Sequence, residues 1–171
     1  MSSIRAQSKR GRPPRSSGRG GASRTRKADA RRYPSRPFLG IGALIFEDRK
    51  ILLVERGKDP LKGYWSLPGG VLETGEKLEE GIRREVREET GLKVETLSIF
   101  EIFERIMRDA NGRPEYHYVL IDYLCRPTGG RLRAASDVSG AAWVSEPDLG
   151  KYRLTEGTLE VVQRAFAKLQ R

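Results

Sequence analysis

The chain has 171 residues, of which 37% are hydrophobic, and its formal net charge is +10 at pH 7. This length suits one ordinary domain, and no apolar run is long enough to cross a bilayer, which excludes a protein anchored by membrane-spanning helices. The single cysteine, Cys125, excludes an intramolecular disulfide and fits a reducing compartment. We therefore expect a soluble, cytoplasmic protein that makes no membrane contact.

The positive charge is confined to the first 36 residues. They carry 12 Lys and Arg against one acid, Asp29, whereas residues 37–171 carry 21 basic and 22 acidic residues. The first segment is rich in Ser, Gly, Pro and Arg and has almost nothing apolar to bury, so we predict that residues 1–36 are a disordered tail. It lacks the apolar centre of a secretory signal. A folded domain is expected over residues 37–171.

Several uses of this tail stay open. Polycations bind nucleic acid by neutralising phosphates, and the run Lys-Arg-Gly-Arg-Pro-Pro-Arg at residues 9–15 resembles the AT-hook, a short element of A·T minor grooves. One such copy is weak evidence for nucleic-acid binding through residues 1–36. A solubilising or anionic-surface tail is an alternative, as is a start site drawn too far upstream. An Arg-rich transit peptide fits less well, because the segment lacks an apolar face.

The first elements that the pattern predicts are two strands. Apolar, β-rich runs occupy residues 40–48 and 50–57, and they meet across residues 47–49 (Glu-Asp-Arg), which indicates a hairpin. The run Tyr-Trp-Ser-Leu-Pro-Gly-Gly at residues 64–70 then predicts a rigid turn.

A helix is predicted from about Glu76 to the residue before Gly91. Its buried stripe has four-residue spacing and consists of Leu78, Ile82 and Val86. Gly91 suits the left-handed conformation that ends many helices. If the stripe packs against a sheet, the polar flank of the helix is held rigidly, as a metal site requires.

Three more strand patterns and one more helix complete the chain. The strands span residues 93–108, 115–126 and 141–145, with a turn at residues 109–112 between the first two. Cys125 lies in an apolar strand pattern, which favours a buried thiol over a nucleophile. An amphipathic helix closes the chain, and its predicted stripe consists of Leu159, Val162, Phe166 and Leu169.

Carboxylates crowd one flank of the first helix. Glu85 lies three residues before Glu88 and four before Glu89, so all three share that flank, and like charges at this spacing destabilise a helix unless a cation neutralises them. A solvated helix with ion pairs explains part of the pattern, because Arg84 lies four residues from Glu80 and from Glu88. That interpretation leaves Glu85 against Glu89 unexplained. Oxygen ligands of this kind suit a hard divalent cation such as Mg²⁺.

Residues 70–92 resemble the Nudix box, whose pattern is Gly, five residues, Glu, seven residues, Arg-Glu-apolar-x-Glu-Glu-x-Gly-apolar. The fixed places are filled by Gly70, Glu76, Arg84, Glu85, Val86, Glu88, Glu89, Gly91 and Leu92. A chance match in a chain of this length is on the order of one in a hundred thousand. The resemblance therefore outweighs the plain ion-paired helix.

The resemblance implies an α/β fold, with a mixed β-sheet sandwiched between helices, and a metal-dependent enzyme that uses Mg²⁺ or Mn²⁺. It assigns three residues to the metal: Glu85, Glu88 and Glu89. Glu85 is also the favoured general base, and a carbonyl of Gly69 or Gly70 completes the ligand shell. Arg84, grouped with Glu85 as catalytic, pairs with Glu76 to brace the helix.

Candidate substrate contacts lie outside the box. Arg56, at the end of the second strand, is the first choice for a diphosphate contact. Further candidates are Tyr64, Arg105 and Tyr118, although aromatic strand residues more often form core. Many Nudix enzymes use one more acid before the strand that here carries Trp143, and the nearest acid is Asp137. The fourth carboxylate and the identity of the base therefore stay open.

The implied reaction is hydrolysis of the pyrophosphate bond in a nucleoside diphosphate linked to another group. The runs at residues 38–46, 52–57 and 64–76 resemble Nudix proteins that act on ADP-ribose or on 8-oxo-purine nucleoside triphosphates. Cleavage of ADP-ribose to AMP and ribose 5-phosphate is the first hypothesis, and an (8-oxo-)nucleoside triphosphate pyrophosphatase is the second. A non-catalytic nucleotide sensor or DNA-associated regulator is a third, which the intact box disfavours. A homodimer is a further expectation, because many family members are dimers.

Overall fold

Seven strands and two α-helices form the part of the chain that the computed structural model describes, residues 31–58 and 61–169. Their bounds are β1 Phe38–Glu47, β2 Lys50–Arg56, β3 Trp65–Ser66, β4 Gly69–Val71, α1 Leu78–Thr90, β5 Leu92–Arg108, β6 Pro114–Gly130, β7 Val138–Ser145 and α2 Thr158–Leu169. A 3₁₀ helix, Glu146–Lys151, follows β7. The AT-hook-like run at residues 9–15 lies outside the described residues, so its nucleic-acid contact stays a prediction.

The strands form one mixed sheet in the order β3-β2-β1-β6-β5. β4 adds to β1 and β7 adds to β2. β1 runs parallel to β6, whereas its pairings with β2 and β4 are antiparallel. The predicted α/β class with a mixed sheet is confirmed. No helix in the described ranges is both long and apolar enough to cross a membrane.

One face of the sheet is covered by α1. β1 alternates, so its odd-numbered residues Ile41, Ala43 and Ile45 point to this face and are buried. Ile82 and Val86 of α1 pack against them and are fully buried, with Leu78 partly buried beside them. The predicted stripe of this helix is confirmed. Each such side chain contributes about 1.5–3 kcal/mol by leaving water.

The opposite face is covered by α2. Leu44 of β1 points to this side and is fully buried. The buried residues of α2 are Thr158, Val161, Val162, Ala165 and Phe166. The prediction was right for Val162 and Phe166 but wrong for Leu159 and Leu169, which are exposed. The stripe instead uses adjacent pairs, because the helix lies broadly on the sheet and buries a wide face.

α1 begins two residues later than predicted. Glu76 is not helical, because its carboxylate folds back to accept the backbone N–H of Glu73 at 3.1 Å, after a positive φ of 86° at Gly75. The helix ends as predicted: Gly91 has a φ of 71°, and its N–H donates to the carbonyl of Arg87. These two helix ends define the position of α1 between β4 and β5.

β5 and β6 form a long hairpin that extends beyond the predicted strand bounds at both ends. The predicted turn is present, and the Asp109 carboxylate closes it by accepting the N–H groups of Asn111 and Arg113 at 2.9 Å each. Cys125 lies on β6 and is buried, and burial raises the pKa of its thiol to about 12. The expected buried thiol is confirmed.

Candidate active site

Arg84 joins three glutamates of the box. Its Nε and Nη2 donate to the two carboxylate oxygens of Glu76 at 2.8 and 3.0 Å, a fork geometry that fixes both side chains. Its Nη1 donates to Oε1 of Glu85 at 2.8 Å and lies 3.6 Å from Oε2 of Glu88. The hydrogen bond to Arg84 lowers the pKa of Glu76 and keeps it ionised. Glu76 therefore anchors the segment before α1 to the helix.

Glu89 is the most enclosed carboxylate of the box, with a relative exposure of 9%. Its Oε2 accepts the backbone N–H of Gly69 on β4 at 3.0 Å. Burial raises its pKa to about 7, against the hydrogen bond from Gly69, and the nearby charge of Glu85 adds to the rise. A buried carboxylate in such surroundings costs free energy unless a cation or a proton neutralises it.

Glu85 lies directly over Gly70. A Cβ built on Gly70 would stand 2.3–2.8 Å from the carboxylate atoms of Glu85, so the space that the carboxylate fills exists only because residue 70 has no side chain. The Glu85 side chain is 16% exposed, whereas that of Glu88 is 52% exposed. The box thus offers one carboxylate at the turn, one in the interior and one at the surface.

The donor set suits a divalent cation in its chemistry. Glu85, Glu88 and Glu89 present only carboxylate oxygens, which Mg²⁺ and Mn²⁺ prefer, and backbone carbonyls of β4 lie nearby. Within residues 31–58 and 61–169, however, no three His, Cys, Asp or Glu side chains converge as a metal site requires. The Glu85 carboxylate instead accepts a hydrogen bond from the Arg84 guanidinium, which supplies positive charge at this position.

Beside the glutamates lies a cluster of arginine and tyrosine. Arg56 ends β2 and is largely buried; burial lowers its pKa, while the charge of Glu89 opposes this effect and Arg105 adds to it. Arg105 on β5 faces Tyr118 across the β5–β6 ladder. The Tyr118 ring lies 6.1 Å from that of Phe38. Three of the four predicted substrate residues, Arg56, Arg105 and Tyr118, are therefore neighbours.

The fourth, Tyr64, is next to Arg56 through its backbone, because its carbonyl accepts the Arg56 N–H at 2.8 Å, but its side chain contacts another segment. Arg153 donates to its hydroxyl at 2.5 Å and lies over its ring at 4.0 Å, so Tyr64 belongs to a contact between the β2–β3 connection and the segment before α2. Asp137, the candidate fourth acid, forms an ion pair with Lys58. Neither contact involves a glutamate of α1, and the roles of these two residues stay predictions.

Asp122 was missed by the sequence analysis. It lies on β6, is only 4% exposed, and its Oδ1 would be 2.3 Å from a Cβ built on Gly42. Burial, and then the charge of Glu101, raise its pKa to about 7. The signal available in the sequence was an acid within an apolar strand run. Asp122 lies four residues after Tyr118, so the two side chains point to the same face of β6.

We expect Asp122→Asn to raise the free energy of unfolding above that of the parent by more at pH 8 than at pH 5. The pKa is about 7 in the folded state and 3.8 as its ordinary value, so the folded chain holds one more proton between these limits. The Asp122 carboxyl therefore lowers the stability of the parent as the pH rises from 4 to 7, by about 3 kcal/mol between pH 5 and pH 8. Urea unfolding at both pH values measures the difference.

Glu89 titrates alike in the parent and in Asp122→Asn, so the comparison isolates Asp122. The matched control is Glu160→Gln, which removes an exposed acid from α2. A gain from Asp122→Asn that is equal at pH 5 and pH 8 would show that this carboxyl titrates normally.

Comparison with known proteins agrees with this geometry. A family model described as NUDIX domain matches residues 36–165. An ADP-ribose pyrophosphatase from Methanocaldococcus jannaschii is 34% identical over 128 residues, which cover 74% of this chain and 73% of that protein. The nucleoside triphosphatase NudI of Escherichia coli is 32% identical over 130 residues, covering 70% and 90% respectively.

The fold is also similar to solved structures. A crystal structure of an ADP-ribose pyrophosphatase from Streptococcus suis superposes with a TM-score of 0.63 at 28% identity, covering 80% of this chain and 94% of that one. Sequence and fold thus agree with the complete box that β4 and α1 carry. The chain belongs to the NUDIX domain family, and it is a Nudix hydrolase.

Proposed function

We propose that the protein hydrolyses ADP-ribose to AMP and ribose 5-phosphate with Mg²⁺ as cofactor. The observation that carries the proposal is that the largely buried Arg56 lies close enough to Glu89 for their charges to interact. A guanidinium beside a carboxylate flank can hold one phosphate while a cation on the flank holds the other. The similar proteins from M. jannaschii and S. suis, both named ADP-ribose pyrophosphatases, support this substrate.

The residues would divide the work as follows. Glu85, Glu88 and Glu89, with a carbonyl of Gly69 or Gly70, would hold the cation. When bound, Mg²⁺ neutralises phosphate oxygens and lowers the pKa of coordinated water.

The protein's own side chains supply proton transfer and substrate binding. The oxygen of an attacking water bonds to one phosphorus while the bond from that phosphorus to the bridging oxygen breaks, and the leaving phosphate keeps the electron pair of that bond. The proton that the water loses passes through Glu85 and solvent to the leaving phosphate. Glu85 accepts the proton of the attacking water, and Arg84 holds Glu85 in position. Arg56 binds the diphosphate, and the rings of Phe38 and Tyr118 offer flat surfaces on which adenine can stack.

A substrate panel tests the proposal. ADP-ribose, deoxynucleoside triphosphates and 8-oxo-dGTP are incubated with Mg²⁺, with Mn²⁺ and with EDTA, and the products are separated by chromatography. We expect AMP and ribose 5-phosphate from ADP-ribose, with no turnover in EDTA. Release of pyrophosphate and a monophosphate from a triphosphate alone would favour the second candidate, which the similarity to NudI supports. No turnover of any substrate would contradict the proposal.

Replacing Glu88 with glutamine should lower kcat by about 10-fold or more, because the metal loses one anionic ligand. Glu79→Gln is the matched control, since Glu79 lies on the same helix and pairs with Arg83 instead. Turnover by Glu88→Gln equal to that of the control would remove Glu88 from the metal site.

A further inference from the structure

The segment that leads into β1 is fixed to the β5–β6 hairpin. The backbone N–H of Tyr33 donates to the carbonyl of Glu115 at 2.7 Å, and the Arg32 guanidinium donates to the Glu115 carboxylate, also at 2.7 Å. The Tyr33 hydroxyl donates to Asp109 at 3.0 Å. We call these contacts of Arg32 and Tyr33 the clasp.

Two cations enclose the ring of Tyr33. The Arg113 guanidinium lies 4.9 Å from the ring centroid and that of Arg32 lies 5.3 Å away. Tyr33 also has a φ of 51°, a left-handed conformation that a bulky residue adopts only where its contacts hold it. The clasp therefore sets the position of the residues on either side of it.

The clasp places Arg31 beside the arginine and tyrosine cluster of the active site. Tyr118 lies three residues beyond Glu115 on β6. Burial raises the pKa of its hydroxyl, and the charge of the partly buried Arg31 opposes that rise, so the Arg31 guanidinium lies close to Tyr118. The charge of Arg31 also acts on Arg56, which places Arg31 close to the candidate diphosphate contact. Arg105 faces the same tyrosine from β5.

Three guanidinium groups thus lie near Tyr118 and repel one another, and the charge of Glu89 offsets this repulsion at Arg56. The carboxylate nearest to Arg105 is that of Glu156, at 3.9 Å, and Glu156 is 93% exposed, so solvent weakens its effect. An anion in the cluster would relieve the repulsion among Arg31, Arg56 and Arg105. Guanidinium groups bind phosphate oxygens in two-pronged geometry, which suits a diphosphate better than a single carboxylate.

We propose that Arg31 is a third substrate-binding arginine, held in place by the clasp, and that it binds a phosphate oxygen of the nucleoside diphosphate substrate together with Arg56 and Arg105. The identity of the substrate rests on the proposed function. Arg31 precedes residues 36–165, which match the family model, so this contact lies outside the NUDIX domain proper. The last residues of the basic segment thereby become part of the active site.

Kinetics of full-length variants test the proposal. Arg31→Ala should raise KM for ADP-ribose about 10-fold with kcat within about twofold, the loss expected for one charge-assisted hydrogen bond at a partly exposed site. Arg31→Lys should recover part of the loss. Tyr33→Ala, which opens the clasp but keeps Arg31, should raise KM in the same direction. The control Arg36→Ala removes an exposed arginine and should leave KM unchanged.

A binding measurement tests the proposed role of Arg31 without requiring catalytic turnover. Parent and Arg31→Ala are titrated calorimetrically in EDTA with ADP-ribose and with inorganic pyrophosphate, and their melting temperatures are compared. Affinity lost in Arg31→Ala at an unchanged melting temperature supports the proposal, even where the substrate panel shows no turnover and the proposed function fails. Binding of both probes within twofold of the parent overturns it, as does a parent that binds neither probe.

Discussion

Replacing Glu85 with glutamine is expected to lower kcat by about 10²- to 10⁴-fold, the range that a general base contributes. An amide can neither accept the proton of the attacking water nor give an anionic oxygen to a cation. The side chain is mostly enclosed and fixed by Arg84 at 2.8 Å, so the neutral variant keeps the shape of the site. Steady-state kinetics on the substrate that the panel identifies measure the effect.

The matched control for Glu85→Gln is again Glu79→Gln, which carries the same chemical change at an exposed position of α1. Its kcat should equal that of the parent. A melting temperature close to that of the parent shows that the loss in Glu85→Gln is chemical. A kcat within tenfold of the parent would assign the base to another residue, and Asp137 would be the next to test.

Local patterns in the sequence were enough to predict the scaffold. The period of two along β1 and the four-residue spacing of Ile82 and Val86 each specify which side chains meet the core, because neighbouring residues determine them. Gly91 ends α1 where it was expected, since its left-handed conformation is a local property. The box could be recognised for the same reason, because all its residues lie within one continuous stretch, residues 70–92.

Contacts between distant segments could not be predicted. The start of α1 depends on where the Glu76 carboxylate turns, and Tyr64 meets Arg153 only because two connections cross in space. Arg31 and Asp122 gain their surroundings from strand pairings of β6, which no pattern within 10 residues encodes. The scaffold of the site and three of its substrate candidates could therefore be predicted from the sequence, whereas the surroundings of Arg31, Tyr64 and Asp122 could not.

The ion pairs of the box show the same difference between local contacts and contacts with more distant residues. Helix spacing pairs Arg84 with glutamates four residues away, and Arg84 does lie 3.6 Å from Glu88. Its shorter contacts go to Glu76, eight residues away, which the family resemblance implied, and to its neighbour Glu85. In this arrangement the guanidinium compensates charge that a divalent cation would otherwise neutralise. Positioning of Glu85 thus depends on two features, Arg84 on one side and the bare backbone of Gly70 on the other.

Alanine at the two adjacent glycines of β4 should separate stability from activity. A Cβ on Gly69 would lie 2.1 Å from the carbonyl oxygen of Ile41, and residue 69 has a φ of 154°, so backbone must move. We expect Gly69→Ala to lower the free energy of unfolding by roughly 3 kcal/mol, from strain and overpacking together. The three atoms nearest to a Cβ on Gly70 all belong to the Glu85 carboxylate, the end of a flexible side chain that can swing away. Gly70→Ala should therefore unfold within about 1 kcal/mol of the parent.

Catalytic activity, unlike stability, should fall strongly in Gly70→Ala. Because displacing a catalytic group by about 1 Å can cost 100-fold, Gly70→Ala should lose about that factor in kcat while its urea midpoint stays near the parent value. The two variants differ by one position and carry the same added methyl group, so each serves as the control for the other. A Gly70→Ala protein with full activity would mean that Glu85 works from another position than the one over Gly70. A fold as unstable as that of Gly69→Ala would mean that the Glu85 carboxylate cannot move aside.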